Sequence, residues 1–239
     1  MSNVDAILAA AKNGAYDRVV RLLDEDPSLA TASSMLGSQP VHAAYFAGHQ
    51  EIVDLLLRRG VLLDIFLAAE LGKCDHVKAA LDEDPQLSKA FSAAGSTALH
   101  RACYWGQTDV ARLLLDRGAD ANVVTRDSFL QIRPLGCTVA TPDTPNPSDH
   151  EDVVVELVRL LLRHGAGVND RRKDGLTALH SAAYRGHLAV IQTLLDHGAD
   201  PAIRGYENGR PHSSQTAYDV AIAQQQKAAA DLLQRVTTS

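Results

Sequence analysis

Three phrases of the chain resemble one another over about 20 residues, and this repetition constrains the fold more than any other feature. They begin at Val41, Leu99 and Leu179 and read VHAAYFAGHQEIVDLLLRRG, LHRACYWGQTDVARLLLDRGAD and LHSAAYRGHLAVIQTLLDHGAD. Each contains a short apolar segment, a glycine and a second apolar stripe with helical spacing. Because one helix pair cannot bury such a stripe alone, the sequence predicts a stack of two-helix units.

A leucine position in the second helix of each unit gives the number of units. We place this position at Leu22, Leu56, Ala80, Leu114, Leu161, Leu194 and Leu233, which predicts seven units. Three of the intervals are 33 or 34 residues, the length of a turn plus two helices. The interval of 24 indicates a missing turn between Gly60 and Asp64. The longer intervals indicate about 14 added residues in the fifth unit and about six after Arg204.

The insertion in the fifth unit follows the segment RPLG, residues 133–136, and contains three prolines that exclude a continuing helix. We therefore predict a loop from about Ala140 to Pro147. The second helix of this unit is expected to begin near Asp149, to be lengthened by nearly two turns, and to have Ser148 as its N-cap.

Threonines and glycines mark the ends of the predicted helices. Thr97 and Thr177 precede apolar segments and are expected to cap first helices. Glycines stand where helices must stop and suit a left-handed conformation. Those that end first helices are Gly48, Gly72, Gly106 and Gly186, and those that end second helices are Gly60, Gly118, Gly165 and Gly198.

The phrases GSTALHRACYWG and GLTALHSAAYRGH resemble the motif G-x-T-P-L-H-x-A-A-x-x-G-H of the ankyrin-repeat family, with alanine in place of proline. GADAN, GAGVN and GADP resemble the turn of that family. The resemblance extends over residues 4–236 and implies an all-α, right-handed ankyrin-repeat solenoid with β-turn fingers and a concave binding surface. It predicts one domain over residues 1–239, with units at 4–32, 37–62, 63–91, 95–124, 130–170, 175–203 and 215–236. The first and last units would be caps, and the fifth would carry an insertion at 140–150.

Five of the ten histidines lie at repeat positions: His42, His100, His180, His49 and His187. The resemblance implies that these imidazoles tie one turn to the next by hydrogen bonds. The other five histidines have no spacing of metal ligands, so we expect no metal site.

Composition narrows the function further. The net charge is −6 and neither half of the chain is strongly basic, which argues against nucleic acid as a partner. Three widely spaced cysteines form neither a disulfide framework nor a zinc motif. The sequence has no long apolar segment, so we expect a cytoplasmic protein that does not bind a membrane and needs no cofactor.

Aromatic residues precede the glycines that end the first helices, at Tyr45, Phe46, Tyr104, Trp105 and Tyr184. The resemblance implies that these positions face the groove, where such side chains can contribute large contact energies. Some of them could instead pack against the neighbouring repeat. The predicted binding residues are Phe46, Glu70, Tyr104, Trp105, Arg126, Phe129, Arg172, Tyr184 and Arg185.

Basic residues of two turns would form a rim to the same groove. These are Arg126, beside Phe129, and the run Arg171, Arg172 and Lys173. A basic rim favours an acidic segment of a protein or peptide partner, although a solvated turn would have the same composition. The sequence therefore predicts a non-catalytic module for protein interaction.

Two other functions stay open on the sequence. The insertion at 137–150 could close a pocket of an enzyme or of a small-molecule binder, with Cys137, His150, Asp149 and Tyr104 as candidate groups. The segment Leu62, Leu63, Ile65 and Phe66 could instead mediate self-association.

Overall fold

The fold is all-α, as expected. A computed structural model describes residues 2–33, 39–127, 131–139, 150–205 and 214–237. The α-helices of these residues are α1 (Asn3–Lys12), α2 (Tyr16–Glu25), α3 (Pro40–Phe46), α4 (Gln50–Arg58), α5 (Ile65–Glu70), α6 (Cys74–Glu83), α7 (Ala98–Tyr104), α8 (Thr108–Asp116), α9 (Pro134–Thr138), α10 (Glu151–Arg163), α11 (Ala178–Arg185), α12 (Leu188–Asp196), α13 (Ala217–Ala223) and α14 (Lys227–Thr237). Two short 3-10 helices, Pro27–Ala30 and Pro85–Lys89, follow α2 and α6.

The described helices follow one another in the seven pairs that the repeat pattern predicts, and the chain divides within α5 into two compact units, Met1–Leu67 and Ala68–Ser239. In the first unit, α1 packs on α2 and α3, and α4 packs on α2 and α3. In the second unit, α9 packs on α7 and α11, and α10 packs on α8 and α12. First helices therefore stack on first helices, and second helices stack on second helices, within each unit.

Each second helix contributes a fully buried leucine to the core, but in two pairs this residue is one position later than predicted. Leu23 and Leu81 are buried, whereas Leu22 and Ala80 are half-buried. The buried side chains of α2 are Val19 and Leu23, four residues apart and hence on one helix face. The corrected phase gives an interval of 33 residues between Leu23 and Leu56.

Four of the predicted turn fingers are present in the described residues, and each is closed by an equivalent backbone hydrogen bond. In each finger the amide of an earlier residue donates to the carbonyl of a later one. The donor and acceptor pairs are Ser92 to Ser96 (2.8 Å), Thr125 to Ile132 (3.0 Å), Arg172 to Leu176 (2.9 Å) and Gly205 to Gln215 (3.2 Å). The segment between the two partners is three residues longer in the second of these fingers than in the first, and six residues longer in the last. The six residues added after Arg204 therefore lie in the last finger. The 14 added residues of the fifth unit are divided, with three in its finger, seven between the starts of its two helices and four in the N-terminal extension of its second helix.

The second helix of the fifth unit begins later than predicted. It starts at Glu151, its N-cap is His150, and its 13 residues exceed the nine of α8 and α12 by about one turn instead of two. Ser148, Asp149 and the predicted loop lie outside the described residues. The Glu151 carboxylate accepts a 2.7 Å hydrogen bond from the Ala189 amide and thereby caps the neighbouring helix α12, whose own N-cap side chain makes no such bond.

The threonine and histidine of the repeat motif form the predicted links. Thr97 caps α7, and its amide donates to His100 Nδ1 at 3.2 Å. Because Nδ1 accepts, His100 Nε2 carries the proton and donates to the Ile132 carbonyl of the next finger at 3.1 Å. His180 repeats this arrangement with the Gln215 carbonyl at 3.0 Å. Both imidazoles are thus neutral and tie one repeat to the next.

Acid should weaken the fold through these buried imidazoles. Burial lowers the pKa of His100 to about 4, and burial also lowers the pKa of His180. Between an ordinary histidine pKa and the folded value, the unfolded chain binds more protons, so stability falls as the pH falls. We expect the free energy of unfolding, measured by urea titration, to fall by about 2 kcal/mol from pH 6.5 to pH 5.

Two variants test the source of this pH dependence. His100→Gln should flatten the slope between pH 6.5 and 5 even though it lowers stability at neutral pH. His76→Gln, at an exposed position, should leave the slope unchanged. An equal slope in wild type and His100→Gln would contradict the assignment.

Candidate functional site

The end of α7 carries an aromatic pair. The Tyr104 and Trp105 rings meet edge to face, with centroids 5.1 Å apart and planes at 90°. Both side chains are half-buried, so they are anchored in the fold and still have surface available. Tyr184 of α11 lies at the same repeat position as Tyr104, four residues after the buried histidine, and it is also half-buried. Arg185 follows it and is half-buried as well.

Phe46 lies in the first compact unit and is paired in a similar way. Its ring meets the Tyr45 ring edge to face, with centroids 5.1 Å apart and planes at 83°. Phe46 is 40 % exposed, more than the aromatics of α7 and α11. The first unit therefore presents an aromatic pair of its own at the end of α3.

Arg126 lies at the turn predicted for it and stacks on an aromatic ring. Its guanidinium carbon lies 3.7 Å from the centroid of Phe91, a cation–π contact between two successive fingers. The Arg126 amide donates to the Gly95 carbonyl at 2.8 Å. Gly95 has φ +79°, and a Cβ there would lie 3.2 Å from the Arg126 backbone, so glycine permits this close approach. Phe129 lies outside the described residues.

Arg172 is less accessible than a residue of a basic rim would be. Its side chain is only 9 % exposed, and Nε and Nη2 donate to the two oxygens of Asp174 at 3.2 and 2.6 Å. This bidentate pair compensates the charge within one finger. Arg171 extends instead to the Arg204 carbonyl at 3.0 Å.

Glu70 of the preceding helix pair occupies the same repeat position as Tyr104, but its side chain is buried. The residue is 2 % exposed, and its carboxylate makes an ion pair with Arg101 of α7. Arg101 Nε also donates to Ser96 Oγ at 2.7 Å. Glu70 therefore supports Arg101 from inside the fold, whereas direct contact with a partner would require an exposure that it does not have.

A second link between repeats is made by the residue after the glycine of a first helix, as expected for His49 but not for Gln107. Gln107 Nε2 donates to the Glu70 carbonyl at 2.9 Å, and in the first unit His49 Nε2 bonds the Lys12 carbonyl at 3.2 Å. Gln107 and His49 both follow the glycine that ends a first helix, so they share a repeat position. A glutamine can thus replace the histidine of the glycine-histidine motif, which the motif alone does not indicate.

Two of the candidate groups of a catalytic pocket, Cys137 and His150, lie in different surroundings. Cys137 is buried, and burial raises the pKa of its thiol to about 12, so it holds its proton at neutral pH. Asp149 lies outside the described residues, and His150 is the exposed N-cap of α10. A cavity beside Leu135 and Thr177 measures about 20 Å³, enough for one water molecule.

The apolar segment considered for self-association is largely withdrawn from the surface. Leu62 is 83 % exposed, but Ile65 is 4 % exposed and lies in α5. Leu63 and Phe66 are half-buried. The four residues therefore do not form one exposed apolar patch.

Within the described ranges, the structure has neither a cluster of metal ligands nor a membrane-spanning helix. No three histidine, cysteine or acidic side chains of these ranges come together in a way that would hold a metal ion. No helix within them has the length and apolarity needed to cross a membrane.

Protein-family models match most of the chain. A model described as ankyrin repeats in three copies matches residues 64–125 and 151–237, and a model described as ankyrin repeat matches residues 36–69. The chain belongs to the ankyrin-repeat family. The helix pairs, the fingers and the threonine-histidine links of this ankyrin-repeat protein agree with that membership.

Curated relatives of the ankyrin-repeat protein differ widely in what they are named for. The B-cell lymphoma 3 protein homolog of Mus musculus is 32 % identical over 188 residues, which cover 74 % of this chain and 39 % of the relative. The probable E3 ubiquitin-protein ligase XBOS32 of Oryza sativa subsp. japonica is 28 % identical over 215 residues, 86 % of this chain and 40 % of the relative. The serine/threonine-protein kinase TNNI3K of Mus musculus is 34 % identical over 108 residues, 44 % of this chain and 12 % of the kinase.

The ankyrin-repeat protein thus spans two fifths or less of the length of these three relatives. Their similarity is consistent with a shared repeat fold, and the diversity of their names gives no single activity to transfer.

Removing the Glu70 carboxylate should destabilise the protein markedly. In Glu70→Ala, Arg101 would keep a partly buried charge without its counter-ion, and we expect the free energy of unfolding to drop by about 2 kcal/mol. The matched control is Glu156→Ala, which breaks the 2.9 Å pair with Arg112, where both side chains are about half exposed. That control should cost less than about 1 kcal/mol. Urea unfolding of both variants checks the difference, and equal losses would contradict it.

Proposed function

We propose that this ankyrin-repeat protein is a non-catalytic interaction module that binds an extended segment of a partner protein. In the second compact unit, the binding surface would comprise Tyr104, Trp105, Tyr184 and Arg185, with Arg126 at its finger edge. Ankyrin repeats are typically protein-interaction modules, which supports the general class of function.

The observation that carries the proposal is the edge-to-face pair of Tyr104 and Trp105 at the end of α7. Two half-buried rings that hold each other lose little conformational freedom when a partner covers them. Aromatic side chains of this kind contribute much of the energy at protein interfaces. Helix stacking positions them on a rigid support, so binding requires no folding step.

Arginines beside the rings favour an acidic partner segment. Arg126 is exposed and fixed over Phe91, and Arg185 follows Tyr184 directly. Arg172 would act indirectly, because its bidentate pair with Asp174 holds the finger in shape. Phe46, in the other compact unit, stays a predicted contact residue of that unit.

Truncating the two rings should abolish most of the binding. We would select peptides from a random library on the full-length chain and measure their affinities by fluorescence anisotropy. The double variant Tyr104→Ala/Trp105→Ala should bind at least about tenfold more weakly, because the main apolar anchors are lost. Its melting temperature should change by only a few degrees, since both side chains are half-buried.

The control for this experiment is Tyr16→Ala, a half-buried tyrosine on the second helix α2. It should leave the affinities unchanged. Peptides that bind the double variant as tightly as the wild type would contradict the proposed surface.

A further inference from the structure

Arg101 lies on the same helix as the aromatic pair and shares a face with it. It precedes Tyr104 by three residues and Trp105 by four on the α7 segment, and side chains at these spacings are neighbours on a helix surface. The preceding finger, which contributes Ser96, begins at Phe91, on which Arg126 stacks. Arg101 thus contacts the finger from the helix that ends at the aromatic pair.

Three groups from two other parts of the chain hold the Arg101 guanidinium. Nη1 pairs with the Glu70 carboxylate of α5, Nε donates to Ser96 Oγ at 2.7 Å, and Nη2 lies 3.5 Å from Ser92 Oγ. The Arg101 side chain is 29 % exposed, whereas the Glu70 side chain is 3 % exposed. Solvent, or a partner, therefore meets the guanidinium and not the carboxylate behind it.

A guanidinium that is already immobilised loses little rotational freedom when it binds a ligand. It offers only N–H donors in a planar arrangement, so the complementary ligand group is an acceptor, and a carboxylate matches this geometry best. The exposed Arg126, which stacks on Phe91 of the finger that holds Arg101, adds a positive charge that favours the same group. Asp127 beside it is occupied by a hydrogen bond from the Thr125 hydroxyl.

No other pair of the two units places a cation at this repeat position. The residue after the motif histidine is Ala43 in the second pair, Arg101 in the fourth and Ser181 in the sixth, and Cys137 stands there in the fifth. A ligand that slides by one repeat would consequently lose its contact with Arg101. One arginine among neutral residues can thus fix the register of an extended peptide.

We propose that Arg101, held by Glu70 and Ser96, is the specificity-determining residue of this surface and binds one aspartate or glutamate side chain of the partner segment. The inference depends on the proposed function, because it assigns the position that selects among peptides bound by Tyr104 and Trp105. It adds a residue that the repeat motif does not indicate and gives Glu70 a positioning role.

The test uses the library-selected peptides and a charge-neutral variant. Arg101→Gln alone would leave the Glu70 carboxylate buried without its cation, so the main variant is Glu70→Gln/Arg101→Gln, which removes both charges together. The matched control is Arg112→Gln, which removes an exposed arginine of the second helix α8. Arg101→Lys, in addition, keeps the charge but removes the planar fork.

Peptides selected by the wild type should share an acidic residue at one position. Replacing that residue by its amide should weaken binding to the wild type and to Arg112→Gln by about tenfold, and binding to Glu70→Gln/Arg101→Gln by less than about twofold. Arg101→Lys should give an intermediate loss. If the role of Arg101 were purely structural, Glu70→Gln/Arg101→Gln would bind the acidic peptide and its amide form more weakly by the same factor.

The outcomes separate the two proposals. Two results would overturn the role of Arg101 alone. In the first, the peptides depend on Tyr104 and Trp105 but have no shared acidic position. In the second, replacing the acidic residue weakens binding equally to the wild type and to Glu70→Gln/Arg101→Gln. A selection that yields no peptide sensitive to Tyr104→Ala/Trp105→Ala would contradict the proposed function and, with it, this inference.

Discussion

Burial of the second-helix leucine requires a neighbouring helix pair, and the rest of the structure depends on this requirement. Leu114 and Leu161 are completely buried, although each helix alone would leave its apolar stripe in water. Small residues such as Ala102 and Ala182 allow the first helices to stack closely. Hydrogen bonds from one repeat to the next then fix the spacing, as His100 does with the Ile132 carbonyl. Apolar burial thus provides the stability, and the polar links set the register between repeats.

Local signals in the sequence predicted the helix pairs well, because helix caps and apolar periodicity act within a few residues. Thr97 and Thr177 cap the helices expected of them. The prediction of which residue of the second helix is buried was wrong where two apolar residues are adjacent. Both Ala80 and Leu81 fit an apolar position, and only the spacing of four from the buried Val77 identifies Leu81 as the core residue. The periodicity within one helix resolves what comparison between repeats left ambiguous.

The candidate site was less predictable, because its important side chains have partners one repeat away. Glu70 pairs with Arg101, 31 residues later, and Glu151 caps α12 at Ala189, 38 residues later. Both acids have local explanations in the sequence, as a groove residue and as a first-turn acid, and these explanations do not reveal the partner. A repeat protein offers a remedy, since an offset of one period identifies the residues that can meet. Applied to Glu70, that offset leads to the segment containing Arg101.

Insertions show which parts of the architecture are free to vary. The added residues lie in two fingers, between the two helices of the fifth pair and in the N-terminal extension of α10, whereas the short connections within the other helix pairs are kept. A residue inserted inside a stacked helix would rotate its buried leucine away from the neighbour, so length changes are tolerated only outside the packed stripes. Fingers therefore combine freedom in length with a fixed attachment to the helices. Arg126, held against Phe91 of the preceding finger, illustrates the result, because a residue of a variable segment is positioned by a rigid neighbour. Selectivity of this protein for its partner is consequently expected to depend on the fingers together with Arg101 of α7, while the ends of the first helices supply the aromatic anchors.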